Sequence, residues 1–210
     1  MGTVERLPAT AGALAGALRA LAVLAIAGCA SGGAALHGQQ PMDGVRVDQE
    51  IAYYDVPGSS LSSVIELLNT ARLEGPDAPP SQGLTSYYIK PDWSAQASGG
   101  ACRVARAEIF VEIDITLPRW ATVEERPAHE QESWSQIERA IREHEYGHRD
   151  LTIDAAGVLL SALRGLETRG CGTLRDAVAS ALSVADARLR EAHAILDRET
   201  PPRLSVGPGD

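Results

Sequence analysis

The chain has 210 residues, enough for one domain beyond a targeting segment, and is 44% hydrophobic but only 4% aromatic. That composition excludes a disordered chain and requires a core built from aliphatic side chains. Nineteen Lys and Arg against 28 Asp and Glu give a net charge of −9, and the basic residues are scattered, so there is no electrostatic footprint for DNA or RNA.

Arg6 and Arg19 precede the apolar run Ala20–Gly28, and Cys29 follows it. A charged start, a short apolar core and a small-residue end predict a lipoprotein-type signal peptide over residues 1–28, too short to span a bilayer. Ile26-Ala27-Gly28-Cys29 has the pattern of a bacterial lipobox, in which Cys29 is acylated and becomes the new N-terminus; an ordinary signal peptide with an incidental cysteine is the alternative. The expectation is an exported cell-envelope lipoprotein, periplasmic or tethered to the outer membrane, otherwise secreted, touching the membrane only through the lipid. Residues 29–47, rich in Gly, Ser and polar side chains, read as a flexible tether. Residues 48–200 read as the folded domain and 201–210 as a tail. With Cys29 assigned to lipid, Cys102 and Cys171 remain as an even pair in an oxidising compartment, which predicts a disulfide. Zinc thiolates are the weaker alternative, since neither cysteine sits in a C-x-x-C spacing.

Along the domain, Ile51, Tyr53 and Asp55 alternate with their neighbours until Pro57-Gly58, as in a short strand. A helix follows, capped by Ser59 or Ser60, with Leu61, Val64, Ile65 and Leu68 at helical spacing and Gly75-Pro76 as its stop. Leu84 to Trp93 predicts a second strand. In the third, Ile109, Val111, Ile113, Ile115 and Leu117 take a dry face and Glu108, Glu112, Asp114 and Thr116 a wet one, ending at Pro118. That alternation predicts an antiparallel-type sheet covered on one side.

From about Glu130 the period becomes helical. Trp134, Ile137, Ile141, His144, His148, Leu151, Ala155, Val158, Ala162 and Leu166 define one stripe. Gly170-Cys171-Gly172 is a turn, and Leu174, Val178, Leu182, Ala185, Leu189 and Leu196 mark a second helix doubling back on the first. The predicted fold is α+β: a small sheet with a long helical hairpin, in the manner of a zincin.

His144-Glu145-Tyr146-Gly147-His148 spell H-E-x-x-H on that stripe. On a helix the two imidazoles leave one face to share a Zn²⁺, and Glu145, about 100° round from His144, is placed to act as general base on a metal-bound water. Two buried histidines one turn apart are hard to satisfy without a shared cation, because each ring needs partners for both nitrogens. Gly147 costs about 0.5–1 kcal/mol relative to Ala inside a helix, so close approach by substrate or another backbone is expected there.

A catalytic zinc needs a third protein ligand and one open position. Glu167 lies nineteen residues beyond His148, which on one continuous helix is about 28 Å at the α-helical rise. A hairpin folded about Gly170 and Cys171 instead brings His193 opposite His148 and Asp197 level with His144. His193 is the first choice as third ligand, and Asp197 the alternative, as ligand or as the group that orients a ligating histidine.

An ordered series of residues resembles the DUF922 family, described as predicted secreted zinc-dependent proteases. It comprises Tyr54-Asp55-Val56-Pro57-Gly58 with the following Leu-rich helix, Cys102, Leu117-Pro118-Arg119-Trp120, Trp134, the H-E-x-x-H, and Cys171 with Leu174, and it covers roughly residues 48–200. The resemblance implies a metallopeptidase of unestablished substrate. It also exposes a departure: the family tends to close with Tyr-Asp-x-x-Thr-x-His-Gly, and here Asp197 and Thr200 are kept while Leu196 stands for the Tyr and Pro202 for the His.

Together these residues predict a zinc-dependent hydrolase of amide bonds in a peptide or protein substrate, with Glu145 as base and Zn²⁺ as cofactor. A peptidoglycan amidase and a non-catalytic envelope lipoprotein with a structural zinc and histidine cluster are the competing readings.

Overall fold

The computed structural model describes residues 43–70, 73 and 82–201. The expected signal peptide, the lipid expected on Cys29, the expected tether as far as residue 42, the helix stop expected at Gly75-Pro76 and the expected tail from residue 202 lie outside the described residues. The elements are β1 (Val45–Val56), α1 (Leu61–Thr70), β2 (Leu84–Ser98), β3 (Ala101–Trp120), a single 3₁₀ turn (Val123–Glu125), α2 (Ala128–Arg164), β4 (Glu167–Arg169) and α3 (Cys171–Glu199). The four strands make one sheet in the order β1-β3-β2, with β4 beside the start of β3. The expected α+β class is observed. β1 begins at the buried Val45, so residues 45–47, expected in the tether, belong to the sheet.

The sheet is mixed rather than wholly antiparallel. β2 and β4 run antiparallel to β3, whereas β1 runs parallel to it. Two chain reversals separate β1 from β3, one through α1 and one through the β2–β3 hairpin, so the two strands point the same way. Ser60 starts α1 by reciprocal bonds: the Ser63 amide donates to Ser60 Oγ and the Ser60 amide to Ser63 Oγ, satisfying donors a helix start leaves open. Gly99 and Gly100, at φ +60° and +86°, make the two-residue hairpin turn that brings β3 back beside β2.

β3 is the central strand, and its alternation is as the sequence implies: Ile109, Val111, Ile113, Ile115 and Leu117 are each at most 1% exposed, while Glu112 and Asp114 face out. Before Ala107 the phase differs, with Cys102 and Val104 inside. A bulge between Ser94 and Ala95 of β2 shifts the register opposite Val104 and Arg106, and one unpaired residue is enough to exchange the two faces. Pro118 does not end the strand, which runs to Trp120. The Ile109 amide donates to Gly44 O on the β1 side, so by alternation the nitrogen of Pro118 faces the β2 side. Pairing with β2 starts only at Thr116, so no ladder bond is lost there.

α2 crosses the dry face as one helix of 37 residues, about 55 Å long. Trp134, Ile137, Ile141 and His144 are buried as expected. Past His148 the buried line is Thr152, Ala156, Leu159, Leu160 and Leu163, and Val158 is 64% exposed. Steps of three and four chosen on apolarity alone (Leu151, Ala155, Val158, Ala162) slipped by one residue, because they passed over Thr152, the polar side chain that holds the phase. Trp120 closes the other end of the core, edge-on to Trp134 at 6.0 Å, its indole N–H donating to Gly58 O.

α3 returns along α2. The tip of this hairpin is tied to the sheet twice. Thr168 of β4 pairs with Cys102, and Cys102 is disulfide-bonded to Cys171 at the start of α3, with Cα atoms 5.1 Å apart. No helix among the described residues is long and apolar enough to cross a membrane.

Two stability measurements check this packing. Leu163→Ala should cost about 2–5 kcal/mol in urea unfolding, whereas Val158→Ala should change stability by no more than about 0.5 kcal/mol. Replacing Cys102 and Cys171 by Ser opens a loop spanning 69 residues and should cost about 2–4 kcal/mol, read as a lower denaturation midpoint under non-reducing conditions.

Candidate metal centre

His144, Glu145 and His148 project from α2, His193 and Asp197 from α3, and Thr85 and Tyr87 from β2. The hairpin sets their levels. His193 lies opposite His148, with the two Nδ1 atoms 2.8 Å apart. Asp197, one turn further along α3, lies against the other two: its Oδ1 is 3.2 Å from His144 Nε2 and 3.0 Å from His148 Nε2, and the two Nε2 atoms are 3.2 Å apart. His144, His148 and Asp197 therefore form a group that can hold a metal ion. His193 stands outside it, against the far nitrogen of His148. Glu167, on β4, pairs with Arg103 at the first residues of β3 and takes no part.

The donor set fits a metal ion. Bonds of about 2.0–2.1 Å in a tetrahedron place neighbouring ligand atoms about 3.3–3.4 Å apart, close to the triangle observed. Hydrogen bonding alone does not account for that triangle: each Nε2–H can point at Asp197, but the two N–H groups then face each other. A cation with three lone pairs aimed at it satisfies every edge. Two borderline imidazole nitrogens and one hard carboxylate oxygen make a mixed donor set of the kind that divalent metal ions take. His144 makes its contacts at its Nε2 edge; its Nδ1 is buried without a hydrogen-bond partner among the described residues.

Glu145 is 2% exposed. Thr85 Oγ1 lies 2.8 Å from Glu145 Oε2 and 3.1 Å from the Glu145 carbonyl oxygen, so its one proton serves one acceptor at a time. Burial pushes the Glu145 carboxyl up to about 7, with the Thr85 bond opposing and the Asp197 charge adding to the rise. Burial likewise raises the Tyr54 phenol to about 12, with the Glu145 charge adding, and its hydroxyl donates to Gln82 O at 2.7 Å. Burial lowers His148, opposed by the Asp197 charge and reinforced by His144. His193 falls to about 4 through burial and the neighbouring His148, against the pull of Asp197. A neutral imidazole is the form a metal ligand needs.

A cleft of about 530 Å³ opens from the centre between β2 and α3. Glu145, His148 and Asp197 stand in its wall, and Ile89, Leu159, Leu182 and Leu189 line it with apolar surface. Metal centre, carboxylate and apolar groove are thus one concavity.

Two features escaped the sequence, and a third has a different neighbour from the one expected. Thr85 and Gly83, sixty residues away in the chain, shape the place of Glu145: a Cβ on Gly83 would come 2.6 Å from Glu145 Oε1. Thr152, fully buried, extends the histidine stripe by one turn, and strict i, i+4 stepping from His148 would have found it. Gly147 does have a close neighbour, but it is the side chain of Leu196 on α3, 3.0 Å from where a Cβ would sit, and not substrate or backbone.

Gly83→Ala should therefore displace the Glu145 carboxylate while leaving metal binding near wild type. The check is metal stoichiometry and the Glu145 carboxyl titration, read by NMR on the same preparation; loss of metal, or a titration like that of wild type, would contradict it.

No curated protein and no solved structure matches the chain. The family model that matches, over residues 51–202, is described as a bacterial protein of unknown function (DUF922); the span covers most of the domain, and the chain belongs to the DUF922 family.

Proposed function

We propose that the domain is a zinc-dependent hydrolase of peptide amide bonds, acting in the bacterial cell envelope from a lipid anchor on Cys29. One observation carries this reading. A carboxylate outside the His144, His148 and Asp197 group, that of Glu145, is buried beside it at the wall of an apolar cleft. His144, His148 and Asp197 would hold the zinc. When bound, zinc supplies a polarised scissile carbonyl and a water acidified towards neutrality.

The chain's own residues supply the remainder. Glu145 takes a proton from the attacking water as the new C–O bond forms, and returns it to the amine nitrogen as the C–N bond breaks. Burial favours the protonated carboxyl and a bound cation would favour the ionised one, so the two oppose each other and the group can serve as base and then as acid. Thr85 holds the carboxylate by Oε2, and Oε1 lies on the Gly83 side. The cleft's apolar lining favours an extended peptide with a bulky aliphatic or aromatic side chain beside the scissile bond. A purely structural zinc site would have no use for Glu145 or for a Gly83 that makes room for it.

The test uses the exported chain beginning at Cys29. Wild type should carry about one zinc per chain and cleave a mixed peptide library, and a chelator should abolish both. His148→Ala and Asp197→Ala should lose the metal. Glu145→Gln should keep it and lose about 10²–10⁴-fold in turnover, the usual worth of a general base. Equal metal content in wild type and His148→Ala, or full turnover in Glu145→Gln, would refute the assignment.

A further inference from the structure

We propose that His193 is a positioning residue that fixes the tautomer and plane of His148, in place of serving as a ligand itself; this rests on the metal-site reading above. If Nε2 of His148 gives its lone pair to the triangle it shares with His144 and Asp197, the ring must carry its proton on Nδ1. The atom facing that proton is His193 Nδ1 at 2.8 Å, which must then present a lone pair. The His193 proton is thereby placed on Nε2, which faces Thr152 Oγ1 at 3.5 Å. Thr152 commits its own proton to the His148 carbonyl oxygen at 2.9 Å, so its oxygen is free to accept.

Every proton in the series then has one position. The chain starts at the ring of residue 148 and closes on the backbone of the same residue, coupling the ring's orientation to the helix that bears it. Running the protons the other way puts hydrogen on His148 Nε2, where no metal can bind. The direction therefore decides whether the triangle is competent. The surroundings hold His193 in place: its ring stacks on Tyr87, centroids 5.0 Å apart and planes 28° from parallel, and Thr152 is fully buried. Three elements, α2, α3 and β2, meet in this one contact.

The experiment measures zinc affinity by chelator competition on the exported chain. His193→Phe keeps a ring to stack on Tyr87 but removes the acceptor, and zinc should bind about 10–100-fold more weakly. His193→Asn restores an acceptor oxygen near the Nδ1 position and should recover most of that loss. Thr152→Val should weaken binding in the same direction. The His193→Phe, Thr152→Val double variant should bind no more weakly than His193→Phe alone, because both act through one series of bonds.

Wild-type affinity in His193→Phe, or additive losses in the double variant, would overturn the proposal. So would complete loss of zinc in His193→Asn matching that in His148→Ala, which would make His193 a ligand. Absence of zinc from wild type is a different failure: it removes the metal reading, and this proposal with it. Should His193→Phe fail to fold, His193→Asn and Thr152→Val still decide between these outcomes.

Discussion

Three atoms able to ligate a metal ion, on His144, His148 and Asp197, are held 3.0–3.2 Å apart in a half-buried place, and this is the constraint the fold answers. Flexible side chains left free would carry these three atoms apart into water. Two of the donors come from successive turns of α2, where helical geometry supplies their alignment. The third comes from α3, fifty-three residues from His144 along the chain, so the centre depends on the angle and register between two long helices. A slip of one residue along either helix would turn the third donor about 100° away.

The restraint on that register sits far from the metal centre. β4 and the disulfide from Cys102 to Cys171 pin the tip of the helical hairpin to the first residues of β3, while Ile137 and Ile141, with Leu160 and Leu163 further along, anchor α2 in the core. The centre lies between these two anchored stretches, where α2 carries Glu145, His148 and Thr152 in place of aliphatic side chains. Polar groups are hardest to satisfy there and easiest to immobilise. Immobilisation is what a metal-ligating group requires, because a small displacement of one ligand costs more than its contact energy.

Much of this was legible from residue order. The wet and dry faces of β3 follow from period-two alternation, and the hairpin axis at Gly170 and Cys171 placed His193 against His148 and Asp197 level with His144, as observed. Sequence did not reveal which ring nitrogen of His148 faces which partner. That choice turns on a side-chain rotation, and His193 and Asp197, one helical turn apart on the same face, are equivalent to any periodic argument. The parallel pairing of β1 was hidden because strand direction depends on how many reversals intervene. Pro118 within β3 was hidden because its tolerance depends on where β2 begins. Gly83 and Thr85 carry no local signature, since their role exists only once β2 lies beside α2.

The neighbourhood of Glu145 bears on why the site is built as it is. A carboxylate 2% exposed, with one hydroxyl donor and a second carboxylate, Asp197, close enough to raise its pKa, is held against its own ionisation. Because its pKa rises from 4.5 to about 7 on folding, the folded state binds its proton more tightly than the unfolded chain does, and its contribution weakens stability as pH rises through that interval. A neutral or apolar side chain would remove that penalty. The fold retains the carboxylate and clears space for it at Gly83, where any side chain would collide with it. That stability is given up beside a group of side chains able to hold a metal ion, which is the neighbourhood on which the role proposed for Glu145 rests. A bound cation would reverse the sign of the local field, drawing Glu145 towards its ionised form. The carboxylate that weakens folding by itself would then be the ionised group beside the cation.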